Sequence, residues 1–232
     1  MIKISGVTKS FDGFCALKNL SMTVPRGSVF GLVGPNGAGK TTLIKNILGI
    51  LKPDSGEILI DGINVCENPQ VKEKIFYISD DLYFFQSYSI KEMALFYKDI
   101  YKNFNMERFE ALGSVFEIDT KRKVSRLSKG MQKQVAFWIG VSCMPEILIL
   151  DEPVDGLDPV MRKRVWSTVM QDVSERGITV LISSHNLREL EDVCDHVGMM
   201  SEGEVIIEKS IDDVKGNFHK VQAAFGEKKG EI

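Results

Sequence analysis

The segment that most constrains this 232-residue chain is a glycine-rich stretch between a predicted strand and a predicted helix. Its sequence from residue 34 is Gly-Pro-Asn-Gly-Ala-Gly-Lys-Thr, which matches the P-loop pattern GxxxxGK[S/T]. Backbone N–H groups of such a loop surround phosphate oxygens, the lysine reaches the β- and γ-phosphates, and the hydroxyl ligates Mg²⁺. A glycine-rich loop that binds nothing is the alternative, but the flanking strand (28–33) and helix (41–48) disfavour it. We predict an ATP site formed by Gly34, Pro35, Asn36, Gly37, Ala38, Gly39, Lys40, Thr41 and Thr42.

Two carboxylates follow a second apolar run. Residues 147–150 are Ile-Leu-Ile-Leu, typical of a central parallel strand, and Asp151 and Glu152 come directly after it. Strand ends of a doubly wound sheet meet at the ligand crevice, so Asp151 is predicted to hold Mg²⁺ and Glu152 to accept a proton from water. The alternative is two acids that end a strand and face solvent.

The periodicity changes along the chain. Strand and helix patterns alternate up to residue 80 and again from 147, whereas 82–146 is predicted to be helical. Residues 1–30 are predicted as short strands and turns, and Ser89 with Glu92 fits a capping box. We expect one domain over 1–232, with a core formed by 1–80 and 147–232 and a helical subdomain at 82–146. The polar segment 226–232 is predicted to fray.

Charge and composition exclude several functions. The net charge of −3 argues against a dedicated nucleic-acid surface, which requires a basic excess. No run of 18 apolar residues occurs, so any membrane-spanning helices must come from a partner. The four cysteines form no CxxC pair, which favours reduced thiols in a cytosolic protein.

Three further motifs follow in a fixed order. Residues 127–131, Leu-Ser-Lys-Gly-Met, resemble the signature LSGGQ, with Lys129 for the first glycine and Met131 for glutamine. Residues 155–158 resemble a D-loop, and 183–185, Ser-Ser-His, a switch region. With the P-loop and the paired acids, these motifs make nearly the whole chain resemble the nucleotide-binding subunit of an ATP-binding cassette (ABC) transporter. The resemblance implies an α/β P-loop NTPase core, mostly parallel, with an antiparallel β patch and a helical subdomain.

The resemblance also implies roles for single residues. Glu152 would be the general base, with Lys40 and His185 on the γ-phosphate. Ser128 and Gly130 would face the nucleotide of the other protomer, and Asp158 would take the D-loop aspartate's place. Phe11 would stack on adenine, although a core position is the alternative for this ring. A polar residue in a loop is the alternative for His185.

One position departs from the family. Asp80 follows the strand 76–79, where the family has glutamine. A carboxylate can approach Mg²⁺ but cannot donate an amide hydrogen bond. We therefore place Asp80 with Thr41 and Asp151 as metal ligands, and a turn-capping residue is the alternative.

The resemblance further implies partners and a location. ATP and Mg²⁺ would lie between two such subunits, identical or similar. A separate multi-span permease would use the hydrolysis, and the chain would lie on the cytoplasmic face of the cell membrane. The altered motifs point to the bacterial exporter-type branch related to antibiotic-resistance pumps. The alternatives are a soluble ABC ATPase that remodels a protein or nucleic-acid complex, and a regulatory subunit.

The sequence also predicts the character of two surfaces. The aromatic residues of 82–101 are expected mainly in the core, with Tyr83, Phe84 and Phe85 lining a groove for a helix of the permease. The basic residues near the signature are expected to form a solvated face: Lys121, Arg122, Lys123, Arg126, Lys129 and Lys133.

Overall fold

The computed structural model describes residues 1–217, so the predicted fraying of 226–232 lies outside the described part of the chain. Within it the strands are β1 (Ile2–Phe11), β2 (Phe14–Val24), β3 (Val29–Val33), β4 (Ser55–Ile60), β5 (Ile63–Asn64), β6 (Ile75–Ile78), β7 (Ile147–Asp151), β8 (Thr179–Ser184), β9 (His196–Ser201) and β10 (Glu204–Ser210). The helices are α1 (Lys40–Ile47), α2 (Pro69–Lys72), α3 (Ile90–Ile100), α4 (Met106–Phe116), α5 (Lys129–Ser142), α6 (Pro159–Arg176), α7 (Leu187–Leu190) and α8 (Ile211–Asn217).

A mostly parallel sheet forms the centre, with strand order β10-β9-β3-β8-β7-β6. Only β10 runs antiparallel, through the hairpin that follows β9. Both faces are covered, which explains the continuous apolar sequence of β7. Leu148 and Leu150 pack with the helices α5 and α6, whereas Ile147 and Ile149 pack on the other face with α1. The predicted α/β class, a mostly parallel sheet with flanking helices, is confirmed.

The first 30 residues differ from their prediction as short strands. They form a hairpin of two long strands, of 10 and 11 residues, in the antiparallel sheet β2-β1-β4-β5. The pairing shifts register after Ile4 and again after Val7, and Gly6 between them has φ 60°. These bulges break the period-2 alternation, which is why the sequence suggests shorter elements.

The segment 82–146 contributes α3, α4 and α5 and packs on the sheet. Its capping box is confirmed, since the Ser89 hydroxyl accepts from the Glu92 amide and the Glu92 carboxylate accepts from the Ser89 amide. Trp138 of α5 stacks on Phe109 at 4.6 Å, and its indole N–H donates to the Phe109 carbonyl at 2.7 Å. These rings belong to the same hydrophobic cluster as the sheet strands β6 and β7.

The two surface predictions are only partly right. Tyr83 is 89% exposed, but Phe84 is buried, and Phe85 packs separately against Tyr88 and Phe96. Tyr83 and Phe84 line one pocket together with Leu82 and Tyr97, whereas Phe85 is not part of that lining. Five of the six basic residues are exposed, but Lys133 is buried. Among residues 1–217, no helix is long and apolar enough to cross a membrane.

Candidate nucleotide site

The P-loop connects β3 to α1 at the carboxyl edge of the parallel sheet. Gly34 donates its amide to the Ser184 carbonyl at 3.3 Å, which ties the loop to the neighbouring strand β8. A Cβ atom at Gly34 would lie 2.4 Å from the Met200 carbonyl oxygen, so this approach requires glycine. Residues 35–37 are exposed, and their loop lies at the start of α1, where backbone N–H groups attract anions.

Lys40 is buried at the first turn of α1. Its ammonium group donates to the carbonyl oxygens of Gly34 at 2.7 Å and Pro35 at 3.3 Å. It also lies 3.6 Å from the Glu152 carboxylate. The lysine charge is therefore held at the loop, beside the strand-end acids, and is satisfied by groups of this chain.

Asp151 is the buried centre of the site. Its carboxylate accepts from the Thr41 hydroxyl at 2.9 Å and from the Ser183 hydroxyl. Ser183 reaches it because β7 and β8 are parallel and in register at this pair. The Tyr77 hydroxyl donates at 3.4 Å, and burial together with the Asp151 charge raises the pKa of Tyr77 far above its usual value. The P-loop and the strand-end acids, 110 residues apart in sequence, thus form one cluster.

Glu152 lies between two basic groups. Its carboxylate contacts His185 Nδ1 at 3.0 Å and Lys40 at 3.6 Å. Its backbone has φ 45°, in the left-handed region, which costs a non-glycine residue about 1–3 kcal/mol. The hydrogen bond that His185 donates to the Glu152 carboxylate, followed by the charge of that carboxylate, raises the pKa of the half-exposed His185.

This contact predicts a pH-dependent signal from His185. Because its pKa is raised, the imidazolium paired with the Glu152 carboxylate should be fully formed just below the ordinary pKa of histidine and be lost as pH rises through the raised pKa. In Glu152→Gln the pKa should fall towards the ordinary value, since an amide cannot stabilise the imidazolium by charge. NMR titration of the imidazole checks this. Glu189→Gln removes a charge that raises the His185 pKa more weakly, so it should move that pKa less. An unmoved His185 pKa in Glu152→Gln would contradict the contact.

The signature-like segment begins the helix α5. Ser128 caps α5 by accepting from the Met131 amide at 3.2 Å. At Gly130 an added Cβ would lie 2.7 Å from the Gly156 carbonyl oxygen, so this glycine lets the segment approach the D-loop. Among residues 1–217, no hydrogen bond or ion pair joins Ser128 to the P-loop. Asp158 caps α6 through the amides of Val160 and Met161.

The remaining predicted residues lie at the margins of this cluster. Phe11 is 41% exposed at the β1–β2 turn, with the Lys9 ammonium 5.5 Å from its ring centre, so the alternative of a core position is wrong. The Asp80 carboxylate accepts from the Lys133 ammonium at 3.3 Å.

Sequence reasoning missed three contacts of this site: Ser183 and Tyr77 on Asp151, and Lys133 beside Glu152. Two of them follow from topology, because β6 and β8 flank β7 in the sheet. A hint for Lys133 is present in the sequence. The uninterrupted apolar run 135–139 indicates a helix buried on all sides, and Lys133 lies within one turn of it.

Comparisons with known proteins agree over most of the chain. The family described as ABC transporter matches residues 17–155. The ABC transporter ATP-binding protein YtrB of Bacillus subtilis (strain 168) is 34% identical over 225 residues, which cover 97% of this chain and 77% of YtrB. The bacitracin transport ATP-binding protein BcrA of Bacillus licheniformis is 35% identical and is matched over 93% of this chain and 71% of its own length. A solved structure described as the ATP binding subunit of an ABC transporter has a TM-score of 0.86 at 25% identity, over 93% of this chain and 92% of that one. The similarity therefore extends far beyond the P-loop.

Proposed function

Because this chain belongs to the ABC transporter family, as an ATP-binding protein and ATPase, we propose that it powers export through a separate membrane-spanning permease. The predicted family is confirmed. Export, the permease and the role of each residue are proposals. The observation that carries the residue roles is the contact between the Thr41 hydroxyl and the Asp151 carboxylate, beside Lys40 and Glu152, whereas export rests on the similarity to BcrA.

The P-loop would bind the phosphates of ATP through the backbone of residues 34–39 and through Lys40, Thr41 and Thr42. Lys40 now contacts two loop carbonyls and Glu152, and phosphate oxygens would replace these acceptors. The Lys40 ammonium would then turn away from Glu152 and leave that carboxylate free to take up a proton. The exposed ring of Phe11 would stack on the adenine.

A magnesium site fits the same cluster. The Thr41 hydroxyl and the Asp151 carboxylate are hard oxygen donors 2.9 Å apart, which is the donor chemistry that Mg²⁺ prefers. The bound ion would neutralise charge on the phosphates. The sequence predicts Asp80 as a further metal ligand, but its contact with the Lys133 ammonium at 3.3 Å supports a role as the charge partner of that lysine.

Glu152 is proposed as the general base. A carboxylate at the carboxyl end of a central strand, beside the lysine that would hold the γ-phosphate, is positioned to accept a proton from attacking water. His185 contacts Glu152 at 3.0 Å and would stabilise charge on the γ-phosphate. Ser128, Gly130 and Asp158 would act on the nucleotide of a second subunit.

The transport proposal predicts a stable complex with a permease. BcrA, 35% identical, is described as a bacitracin transport protein, which supports export of an antibiotic-like compound. We expect a gene beside this one to encode a multi-span membrane protein and the chain to co-purify with that protein. The complex in liposomes should hydrolyse ATP faster than the isolated chain. The complex with Glu152→Gln is the control for rate. A chain that binds no such protein and hydrolyses ATP equally fast alone would favour the soluble remodelling ATPase instead.

A further inference from the structure

Lys133 is a buried lysine beside the proposed base. It lies on α5, is 6% exposed, and projects towards the carboxyl ends of β6 and β7. Its ammonium group donates to the Glu152 carbonyl oxygen at 2.9 Å and to the Asp80 carboxylate at 3.3 Å. A buried ammonium group is strongly unfavourable unless it is paired and hydrogen-bonded, so these two acceptors account for its position.

The bond to Glu152 lies where the backbone is strained. Glu152 has φ 45° and precedes Pro153, which further restricts its conformation. A strained residue keeps its conformation only when its surroundings hold it. On one side the Glu152 amide donates to the Ser183 carbonyl at 3.2 Å, and on the other its carbonyl accepts from Lys133. The ammonium group therefore fixes the peptide from which the carboxylate projects.

Asp80 gives this lysine its negative partner. The side chain of Asp80 is 57% exposed, whereas that of Lys133 is 8% exposed, so the pair lies where the buried site opens to solvent. A glutamine at position 80 would offer an amide oxygen but no charge to compensate the ammonium group. Where the family has glutamine, this chain therefore has an aspartate together with a lysine whose ammonium group lies close enough to pair with it.

We propose that Lys133 is a positioning residue for Glu152, and that Asp80 acts through Lys133 by keeping its ammonium group on the Glu152 carbonyl. This inference rests on the proposed role of Glu152 as the base. Neither Lys133 nor Asp80 touches the reacting atoms in this scheme. Since α5 begins at the signature-like segment, the same contact links that segment to the backbone of the base.

The test is a double-mutant cycle on steady-state ATP hydrolysis by the full chain. Lys133→Met keeps the length of the side chain and removes the hydrogen bond, and we expect kcat to fall by about 10- to 100-fold because small displacements of a catalytic group are costly. The KM for ATP should stay within a factor of about two, since phosphate contacts are untouched. Asp80→Asn should also lower kcat, by a smaller factor than Lys133→Met does, and Asp80→Glu should recover most of that loss. Asp81→Asn, an exposed neighbour, is the matched control and should behave as wild type.

The cycle decides between positioning and metal binding. If Asp80 acts through Lys133, Asp80→Asn should add little to the loss in Lys133→Met. Fully multiplicative losses, or a shift of the Mg²⁺ concentration for half-maximal activity in Asp80→Asn, would overturn the proposal in favour of a metal ligand. Wild-type kcat in either single variant would also overturn it.

If Lys133→Met does not fold, a higher kcat in Asp80→Glu than in Asp80→Asn supports the proposal, and equal values overturn it. Glu152→Gln distinguishes failure of this proposal from failure of the proposed base. If Glu152→Gln keeps its turnover, Glu152 is not the base. If Glu152→Gln loses its turnover but Lys133→Met keeps it, only the positioning role of Lys133 is wrong.

Discussion

Glu152→Gln should lower kcat for ATP hydrolysis by about 10²- to 10⁴-fold, the effect of losing a positioned general base. The loss corresponds to about 2.7–5.4 kcal/mol of transition-state stabilisation. ATP binding should persist, because the substitution keeps the shape of the side chain and leaves the P-loop intact. It also removes the negative charge that competes with phosphate for Lys40, which lies 3.6 Å away. Single-turnover hydrolysis and binding of a fluorescent ATP analogue measure the two effects separately.

The same variant should accumulate as an ATP-bound dimer on a sizing column, since the proposed subunits enclose ATP between them until it is hydrolysed. Glu110→Gln on α4 is a suitable control, because it removes an exposed carboxylate far along the chain from the site. Near wild-type turnover in Glu152→Gln would show that Glu152 is only the partner of Lys40 and His185, not the base.

Much of the fold is predictable from the sequence because its signals are local. The apolar run of β7, the Asp158 cap with Pro159, and the capping box at Ser89 each specify an element through neighbouring residues. The first hairpin was harder to predict, since its bulges and the left-handed Gly6 interrupt the alternation. A pattern of period 2 identifies a strand only while pairing stays in register.

The centre of the site is also predictable, for a topological reason. Parallel strands bring their carboxyl ends to one edge, so an acid after β7 and a P-loop after β3 must lie close together. The contacts of Lys133 and Asp80 could not be predicted this way. They join a helix to a loop across 53 residues, and their distance depends on how α5 packs, which no local pattern encodes.

In the described part of the chain, the signature-like segment makes no hydrogen bond or ion pair with the P-loop of its own chain that would explain a role in hydrolysis. Ser128 caps its own helix, and among residues 1–217 no hydrogen bond or ion pair joins it to the P-loop of the same chain. A helix start with a serine cap and a close glycine is suited to binding an anion, such as a phosphate held by a P-loop. The P-loop of the same chain makes no such contact with this helix start in the described residues. The proposed arrangement therefore supplies the anion from a second subunit, so that each site combines one P-loop with the other chain's Ser128.

Lys40→Ala and Ser128→Arg should each be nearly inactive, and mixing the two proteins should restore activity. Lys40→Ala damages the P-loop half of a site, and Ser128→Arg fills the signature half with a bulky cation. In a mixed dimer both lesions fall in one composite site and the other site is intact. Half of the dimers in an equal mixture are mixed and each has one intact site, so recovery can reach about a quarter of the wild-type rate.

Two controls make the mixing experiment specific to the composite site. Pairing Lys40→Ala with the double variant Lys40→Ala/Ser128→Arg leaves no intact site in any dimer, so that mixture should stay inactive. Ser125→Arg places the same cation three residues earlier, on an exposed turn outside the helix cap, and should keep its activity. Activity near wild type in Ser128→Arg alone would contradict a role for the segment in either chain. Restored activity only in the pair with one intact composite site would instead show that the chain hydrolyses ATP between two copies of itself, because no single protomer in that mixture carries both functional halves.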